Sequence, residues 1–205
     1  RSSSERGCGG TVSAWVSRGG DKLSAAFQAW RSVIPALEGS VAADLGSNVG
    51  GFVQCLLAQG ITRVYAIDTG YGVLAWELRK DPRVRVMERT NALHVVLPEK
   101  VDLVTIDVAW TRQRLIIPAA FRLLRDGGLV VTLVKPQYEA TRKERRGGVL
   151  PRESVSEVLS RVRTEVRLVD GEILAELESP IKGAGGNTEF LWLVRSGNST
   201  SEIRC

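Results

Sequence analysis

The sequence predicts an α/β fold: a doubly wound, mostly parallel seven-stranded sheet with an antiparallel C-terminal strand pair. Three observations carry that expectation. Apolar strand-like runs alternate with helical patterns along the chain, which is the signature of βαβ units. The run Leu129-Val130-Val131-Thr132-Leu133-Val134 is almost uninterruptedly apolar, as a strand covered on both faces has to be. A glycine-rich turn, Gly46 to Gly51, follows the first such strand and opens a helix, at the edge where open α/β sheets bind ligands. With 205 residues, 43% hydrophobic and 25% charged, the chain suits one domain with a full core.

Residues 1–15, Ser/Gly-rich, are expected to be disordered or the remnant of a longer chain. Residues 16–196 form the domain, and 197–205 a flexible tail. Asp21 is placed as the cap of a first helix in which Leu23, Ala26, Phe27, Trp30, Val33 and Ile34 keep a 3.6-residue rhythm until Pro35. Strands follow at 41–45, 63–68, 84–88, 101–108 and 129–135, the last stopped by Pro136. Helices fill 49–59, 73–79 and 113–125, the third closed by Gly127-Gly128, and a further one covers 154–163. Two strand-like stretches, 167–178 and 188–194, are close enough in sequence to pair antiparallel. No internal repeat and no second domain is evident.

Composition excludes several classes. No apolar run reaches the length of a bilayer span, and the N-terminal residues lack the apolar centre of a signal peptide. Three scattered cysteines, Cys8, Cys55 and Cys205, give neither a disulfide framework nor a zinc spacing. A reducing cytoplasm, no membrane and no metal are expected. The Asn198-Ser199-Thr200 sequon is read as chance. A net charge of +5 favours a polyanionic partner.

The glycine turn reads as a nucleoside site. Asp44-Leu45-Gly46-Ser47-Asn48-Val49-Gly50-Gly51-Phe52 permits a tight turn and close backbone approach to a ligand. Asp68, 22 residues beyond Gly46, ends the second strand, where a carboxylate can accept hydrogen bonds from ribose hydroxyls. The spacing is not that of the dinucleotide fingerprint. It resembles the S-adenosylmethionine loop of class I methyltransferases, and an acid at such a loop suits a cationic sulfonium better than a pyrophosphate.

Four charges stand in improbable places. Lys135 and Asp107 end apolar strands; Glu189 shares a strand face with Leu191 and Leu193. Lys22 stands at a helix start, where the macrodipole disfavours a cation. A lone lysine at a strand end can snorkel to solvent. Two lysines and two carboxylates at element ends can instead satisfy one another, as buried charges require.

These residues also carry a resemblance. Val16-Ser17-Arg18-Gly19-Gly20-Asp21-Lys22-Leu23, the loop through Phe52, Val64-Tyr65-Ala66-Ile67-Asp68 with Gly70-Tyr71-Gly72, Glu88-Arg89-Thr90-Asn91, Val134-Lys135-Pro136-Gln137-Tyr138-Glu139-Ala140 and Ser179-Pro180-Ile181-Lys182-Gly183 with Gly186-Asn187-Thr188-Glu189-Phe190-Leu191 occur in order. Together they resemble the TlyA/hemolysin A family of FtsJ-like RNA ribose methyltransferases. The resemblance implies a Rossmann-like class I methyltransferase domain over 16–196, S-adenosylmethionine as cofactor, and RNA, chiefly ribosomal RNA, as partner. It maps a Lys–Asp–Lys–Glu catalytic set onto Lys22, Asp107, Lys135 and Glu189. It assigns cofactor binding to Asp44, Gly46, Ser47, Asn48, Gly50, Gly51, Phe52, Asp68, Asn91 and Asp107. A ribose hydroxyl is a weak acid and must lose its proton as it attacks the methyl carbon. A lysine amine can take that proton where burial or neighbouring cations favour its neutral form. Lys135 is assigned as the base and Lys22 as a positioning group.

The sequence also departs from the family. Only about 15 residues precede Val16, too few for the family's N-terminal RNA-binding domain. The family's aspartate–valine–serine–phenylalanine is here Asp107-Val108-Ala109-Trp110. The segment Arg142-Lys143-Glu144-Arg145-Arg146-Gly147-Gly148 offers Arg142, Lys143, Arg145 and Arg146 to RNA phosphates, with glycines that let it move; a solvated charged loop is the bland alternative. His94 is read as non-catalytic. Trp15, Trp30, Trp76 and Trp192 are read as core, with Trp110 the exception. Rival functions are a base- or small-molecule methyltransferase on the same scaffold, and a non-catalytic RNA-binding or hemolysin-like protein.

Overall fold

Strands β1 (Val41–Leu45), β2 (Arg63–Ile67), β3 (Val84–Met87), β4 (Val101–Ile106), β5 (Leu124–Val134), β6 (Gly171–Glu178) and β7 (Phe190–Ser196) form one sheet in the order β3-β2-β1-β4-β5-β7-β6. The structure, a computed structural model, describes residues 15–197. The expected terminal segments, Cys8, Cys205 and the sequon therefore lie almost wholly outside the described residues. β1 to β5 run parallel, and β7 lies antiparallel to both β5 and β6. The result is a Rossmann-like, doubly wound sheet with one reversed strand.

Among the described residues α1 (Gly19–Ala29) precedes the sheet, and α2 (Gly51–Ala58), α3 (Trp76–Lys80), α4 (Gln113–Phe121), α5 (Pro136–Glu139) and α6 (Arg152–Leu168) lie between its strands. One apolar layer joins α1 and α2 to Ala42, Leu103, Val131, Leu133 and Leu191. The other joins α4 and α6 to Leu45, Ile106, Val130, Val134 and Trp192. Coverage on both faces explains the unbroken apolar runs. β6 is an edge and is blunted by charge: Glu176 pairs with Arg163 and Glu172 with Arg195. Cys55 is buried between α2 and the sheet, and burial pushes its thiol up to about 12, so it is inert.

Several boundaries differ from expectation. Asp21 lies inside the first turn of α1, whose N-cap is Arg18. The helix begins early because Gly20 packs where any Cβ would meet Trp15 at 2.2 Å. It ends at Trp30, and Val33 and Ile34 N–H donate to the Trp30 carbonyl in a turn before Pro35. α4 stops at Phe121, so Gly127-Gly128 do not close it. They lie in β5, where the pairing with β4 shifts register between Val101 and Leu103. α3 begins at Trp76, not 73. α6 runs on to Leu168, because Val158, Leu159, Val162 and Val166 continue one buried stripe. Asp170, at φ 60°, then turns the chain into β6.

Candidate active site

The carboxyl edge of the sheet gathers the predicted charges. Asp107 follows β4, Asp68 follows β2, and Lys135 is the hinge residue between β5 and α5. Side chains alternate along strands, so Asp107, Lys135 and Glu189 fall on the face shared by Leu103, Leu133 and Leu191, which is covered by α1. Lys22 reaches them from the first turn of α1.

The four charges form two pairs. Lys135 Nζ lies 2.6 Å from Asp107 Oδ1 and donates to the Val108 carbonyl at 3.2 Å. Lys22 Nζ donates to Glu189 Oε2 at 2.6 Å, with Glu189 only 3% exposed. Val134 pairs with Phe190 across the antiparallel β5–β7 ladder, so Lys135 and Glu189 occupy the next position on each strand. Neither lysine snorkels freely: their side chains are 15% and 12% exposed.

Neighbouring glycines make room for this arrangement. A Cβ at Gly46, which has φ +88°, would stand 2.5 Å from the Asp107 carbonyl. A Cβ at Gly51 would strike Ser17 Oγ at 2.2 Å and the Gly20 nitrogen at 2.8 Å. The loop before α1 is thus pressed against α2, which brings Lys22 to the sheet edge. At Gly183 a Cβ would lie 2.0 Å from Glu189 Oε1, so this glycine seats the carboxylate.

A cleft of about 380 Å³ opens beside these pairs, lined in part by Gly46, Asn48, Asp68, Asn91, Asp107 and Trp110. The size suits a nucleoside-scale ligand. Asp68 shapes it: Oδ2 accepts the Asn48 N–H at 2.8 Å and Oδ1 the Gly70 N–H at 2.7 Å. Asn91 Oδ1 accepts the Leu93 N–H at 2.9 Å. Asp44, Ser47, Gly50, Gly51 and Phe52 do not line the cleft. Asp44 is fully buried behind it, bound by the Thr105 hydroxyl at 2.7 Å, and its Oδ2 is buried without a hydrogen-bond partner. Burial pushes the Asp44 carboxyl up to about 7, and nearby Asp107 and Asp68 push the same way, against the Thr105 hydrogen bond. The lining carries two carboxylates and, among the described residues, no lysine or arginine. Such a cleft suits a cationic ligand and not a pyrophosphate.

One side of the cleft is aromatic. Trp110 is 76% exposed and stacks on Tyr138 with ring centroids 4.6 Å apart. Tyr138 in turn lies 5.9 Å from Lys135 Nζ. The loop bearing Trp110 is tied to α5 by Glu139, whose Oε1 accepts the Gln113 N–H at 2.8 Å, while Gln113 Oε1 accepts the Thr132 hydroxyl at 2.7 Å. Burial raises the Glu139 carboxyl. Sequence reasoning missed Gln113, Glu139, Gly183 and Asn187. Asn187 Oδ1 accepts the Leu150 N–H at 3.0 Å and so latches the loop before Glu189 to the chain after the basic segment.

That basic segment is a small hairpin. Arg146 and Val149 exchange backbone hydrogen bonds, with Gly147 and Gly148 at φ +58° and +85°. Two left-handed central residues make a tight primed turn, so the glycines build a defined turn and do not simply loosen the loop. Arg142, Lys143 and Arg146 are exposed and Arg145 is half-buried. Glu144 is held by Arg161 at 3.0 Å, which, with the Thr141 N–H, holds its carboxyl down at about 2. His94 is exposed in a turn away from the lysine–carboxylate pairs. No group of His, Cys, Asp and Glu suited to a metal occurs among the described residues, and no described helix is long and apolar enough to cross a membrane.

Asp68 offers a direct test of the cleft. Asp68→Ala removes the acceptor that holds Asn48 and Gly70 and the carboxylate expected from the sequence to meet ribose hydroxyls. Charge-assisted hydrogen bonds are worth about 1.5–3 kcal/mol, so S-adenosylmethionine affinity should fall roughly 10- to 100-fold by calorimetric titration. An unchanged isotherm would refute the assignment.

Comparison with known proteins agrees with this geometry. A family model described as FtsJ-like methyltransferase matches residues 15–195. The chain is 40% identical over 188 residues to the 16S/23S rRNA (cytidine-2′-O)-methyltransferase TlyA of Mycobacterium tuberculosis, covering 88% of this chain and 68% of that protein. It is 40% identical over 187 residues to YqxC of Bacillus subtilis, provisionally described as an rRNA methyltransferase, covering 86% of this chain and 64% of that one. The chain therefore spans about two thirds of the length of these curated relatives. A solved structure provisionally described as a hemolysin from Streptococcus thermophilus superposes with a TM-score of 0.87 at 35% identity, over 93% of this chain and 70% of that one.

Proposed function

The chain belongs to the FtsJ-like methyltransferase family, and from that premise we propose that it methylates a ribose 2′-hydroxyl of RNA, ribosomal RNA foremost, with S-adenosylmethionine as donor. The observation that carries the reading is the meeting of two lysine–carboxylate pairs at the rim of a carboxylate-lined cleft. The relative named for cytidine-2′-O-methylation of rRNA supports the same acceptor. Residues 16–196 act as the methyltransferase domain.

Bound S-adenosylmethionine supplies an electrophilic methyl group on a sulfonium. Every other part of the reaction falls to the chain. Gly46 would let the ligand approach the backbone beside Asp107, and Asp68 would accept hydrogen bonds from its ribose. Asp44 lies buried behind the cleft with an unpartnered oxygen, where a cationic ligand would favour its charged form against the burial that raises it. Lys135 Nζ would take the proton of the 2′-hydroxyl as that oxygen bonds to the methyl carbon and the carbon–sulfur bond breaks, the sulfonium leaving as a neutral thioether. Asp107 Oδ1 and the Val108 carbonyl fix the direction of Nζ. Lys22, held by Glu189, presents positive charge to the developing alkoxide. Orientation of both reactants contributes alongside proton removal. The exposed Trp110 ring, braced by a tilted contact with Tyr138, would offer the target base a stacking surface, and Arg142, Lys143, Arg145 and Arg146 would bind phosphates without reading sequence.

Labelled S-adenosylmethionine incubated with ribosomal subunits tests this reading. Label should appear as 2′-O-methyl ribose and survive base removal. Label on a base favours a base-directed enzyme, and no label on subunits or free RNA favours a non-catalytic binder.

A further inference from the structure

Two aromatic rings stand out of the surface five residues apart. Tyr71 is 69% exposed and Trp76 is 64% exposed. The sequence pattern places Trp76 in the core, but Leu74 and Leu78 fill that layer and leave the indole outside. Each ring carries a cation: the Arg89 guanidinium lies 4.2 Å from the Tyr71 centroid, and Lys80 Nζ lies 4.7 Å from that of Trp76.

The Tyr71 loop is fixed in place. Gly72 and Val73 N–H donate to Glu88 Oε1 at 2.9 and 3.3 Å, and Glu88 also holds Arg79. Arg89 N–H donates to the Gly70 carbonyl at 3.1 Å, and Arg89 adopts φ +52°. That left-handed backbone is costly for a residue with a side chain, and it occurs at the residue that covers Tyr71. Around the rings, Glu88 and Asp81 are taken by Arg79 and Arg83. Lys80, Arg85 and Arg89 form no ion pair among the described residues, and neither does the exposed Glu77 beside Trp76, which leaves an excess of positive charge around the rings.

Tyr71 and Arg89 follow β2 and β3, so they border the cleft at Thr69, Val73 and Thr90, on the flank away from Trp110 and the basic hairpin. We propose that Tyr71 with Arg89 and Trp76 with Lys80 form a second RNA-contacting face, a stacking platform for unpaired bases of single-stranded or looped RNA. Aromatic faces beside cations recognise unstacked bases and their phosphates, whereas the bases of a duplex are inaccessible to them. The proposal rests on the reading that the substrate is RNA.

Fluorescence titration of a mixed-sequence single-stranded oligoribonucleotide, against a duplex of the same composition, tests it in the full chain. Tyr71→Ala and Trp76→Ala should each weaken single-strand binding roughly tenfold, with melting temperature and S-adenosylmethionine affinity unchanged. Arg89→Gln should flatten the salt dependence, which the alanine variants should preserve. Unchanged single-strand affinity in the double alanine variant overturns the platform and leaves the rings to a protein partner. Loss of S-adenosylmethionine affinity in Tyr71→Ala also overturns it, because Tyr71 would then be a wall of the adenosine site. Loss of RNA binding supports the platform even if the wild type transfers no label to ribosomal subunits, an outcome that sinks only the methylation reading. Transfer by the wild type with unaltered binding by the variants sinks the platform alone.

Discussion

Lys135→Ala should abolish methyl transfer while leaving S-adenosylmethionine affinity within a few-fold of wild type. The side chain touches Asp107 and the Val108 carbonyl, but it is not among the residues that line the cleft. Its loss therefore spares the cleft walls and removes the proposed proton acceptor. General-base catalysis contributes about 10²–10⁴-fold, and a single-turnover assay with saturating cofactor should show a loss of at least that order. Lys135→Arg should not rescue the rate, although it keeps the charge and can reach Asp107. A guanidinium cannot be deprotonated in a protein. Full activity in the alanine variant, or wild-type rates in the arginine variant, would remove Lys135 from the chemistry.

Glu189→Ala should give the larger change in stability. Lys22 is left with a side chain only 12% exposed and without the carboxylate that now sits 2.6 Å away. Breaking a buried pair from one side costs about 3–5 kcal/mol, whereas exchanging both partners for apolar groups is near neutral. For a domain of this size that cost corresponds to a fall in melting temperature of roughly 10 °C. The double variant Lys22→Met/Glu189→Leu should regain most of the lost stability and remain inactive. Thermal melts of the two proteins beside their transfer rates separate the structural from the chemical share of the pair. A Glu189→Ala variant that melts with the wild type would mean that water reaches Lys22 freely, and the buried-pair argument would fail.

How much of this could be read from sequence depended on the distance over which each residue is constrained. β5 was legible because burial on both faces leaves a local trace, the run from Leu129 to Val134. Lys135, Asp107 and Glu189 were legible for the same reason, as charges where that trace forbids them. Their pairing was not, because Lys22 and Glu189 are 167 residues apart and nothing local says which carboxylate each lysine meets. Gly183 was visible as part of a motif, but its reason, the missing Cβ that admits Glu189, exists only in the folded loop. Asp44 opens the glycine turn in sequence, but the inward turn of its side chain to Thr105, set by strand alternation, is visible only in the fold. Trp76 misled in the opposite sense, since an amphipathic rhythm names a face but not which large residue the core has room for. The end of α4 was misplaced because Gly127-Gly128 serve equally as a helix stop and as an irregularity in a strand.

The reversed strand β7 sets an order in time. It lies between β5 and β6 although it follows both in sequence, and it is flanked by the residue that completes the lysine–carboxylate set. Elements nearer the N-terminus emerge from the ribosome first, so β1 to β5, the glycine turn and Lys135 can be in place while Glu189 is still unmade. Until β7 inserts, Lys22 has no Glu189 to meet and β6 has no neighbour to pair with. The nascent chain can therefore carry the glycine turn and one lysine–carboxylate pair before the strand that brings the second carboxylate exists.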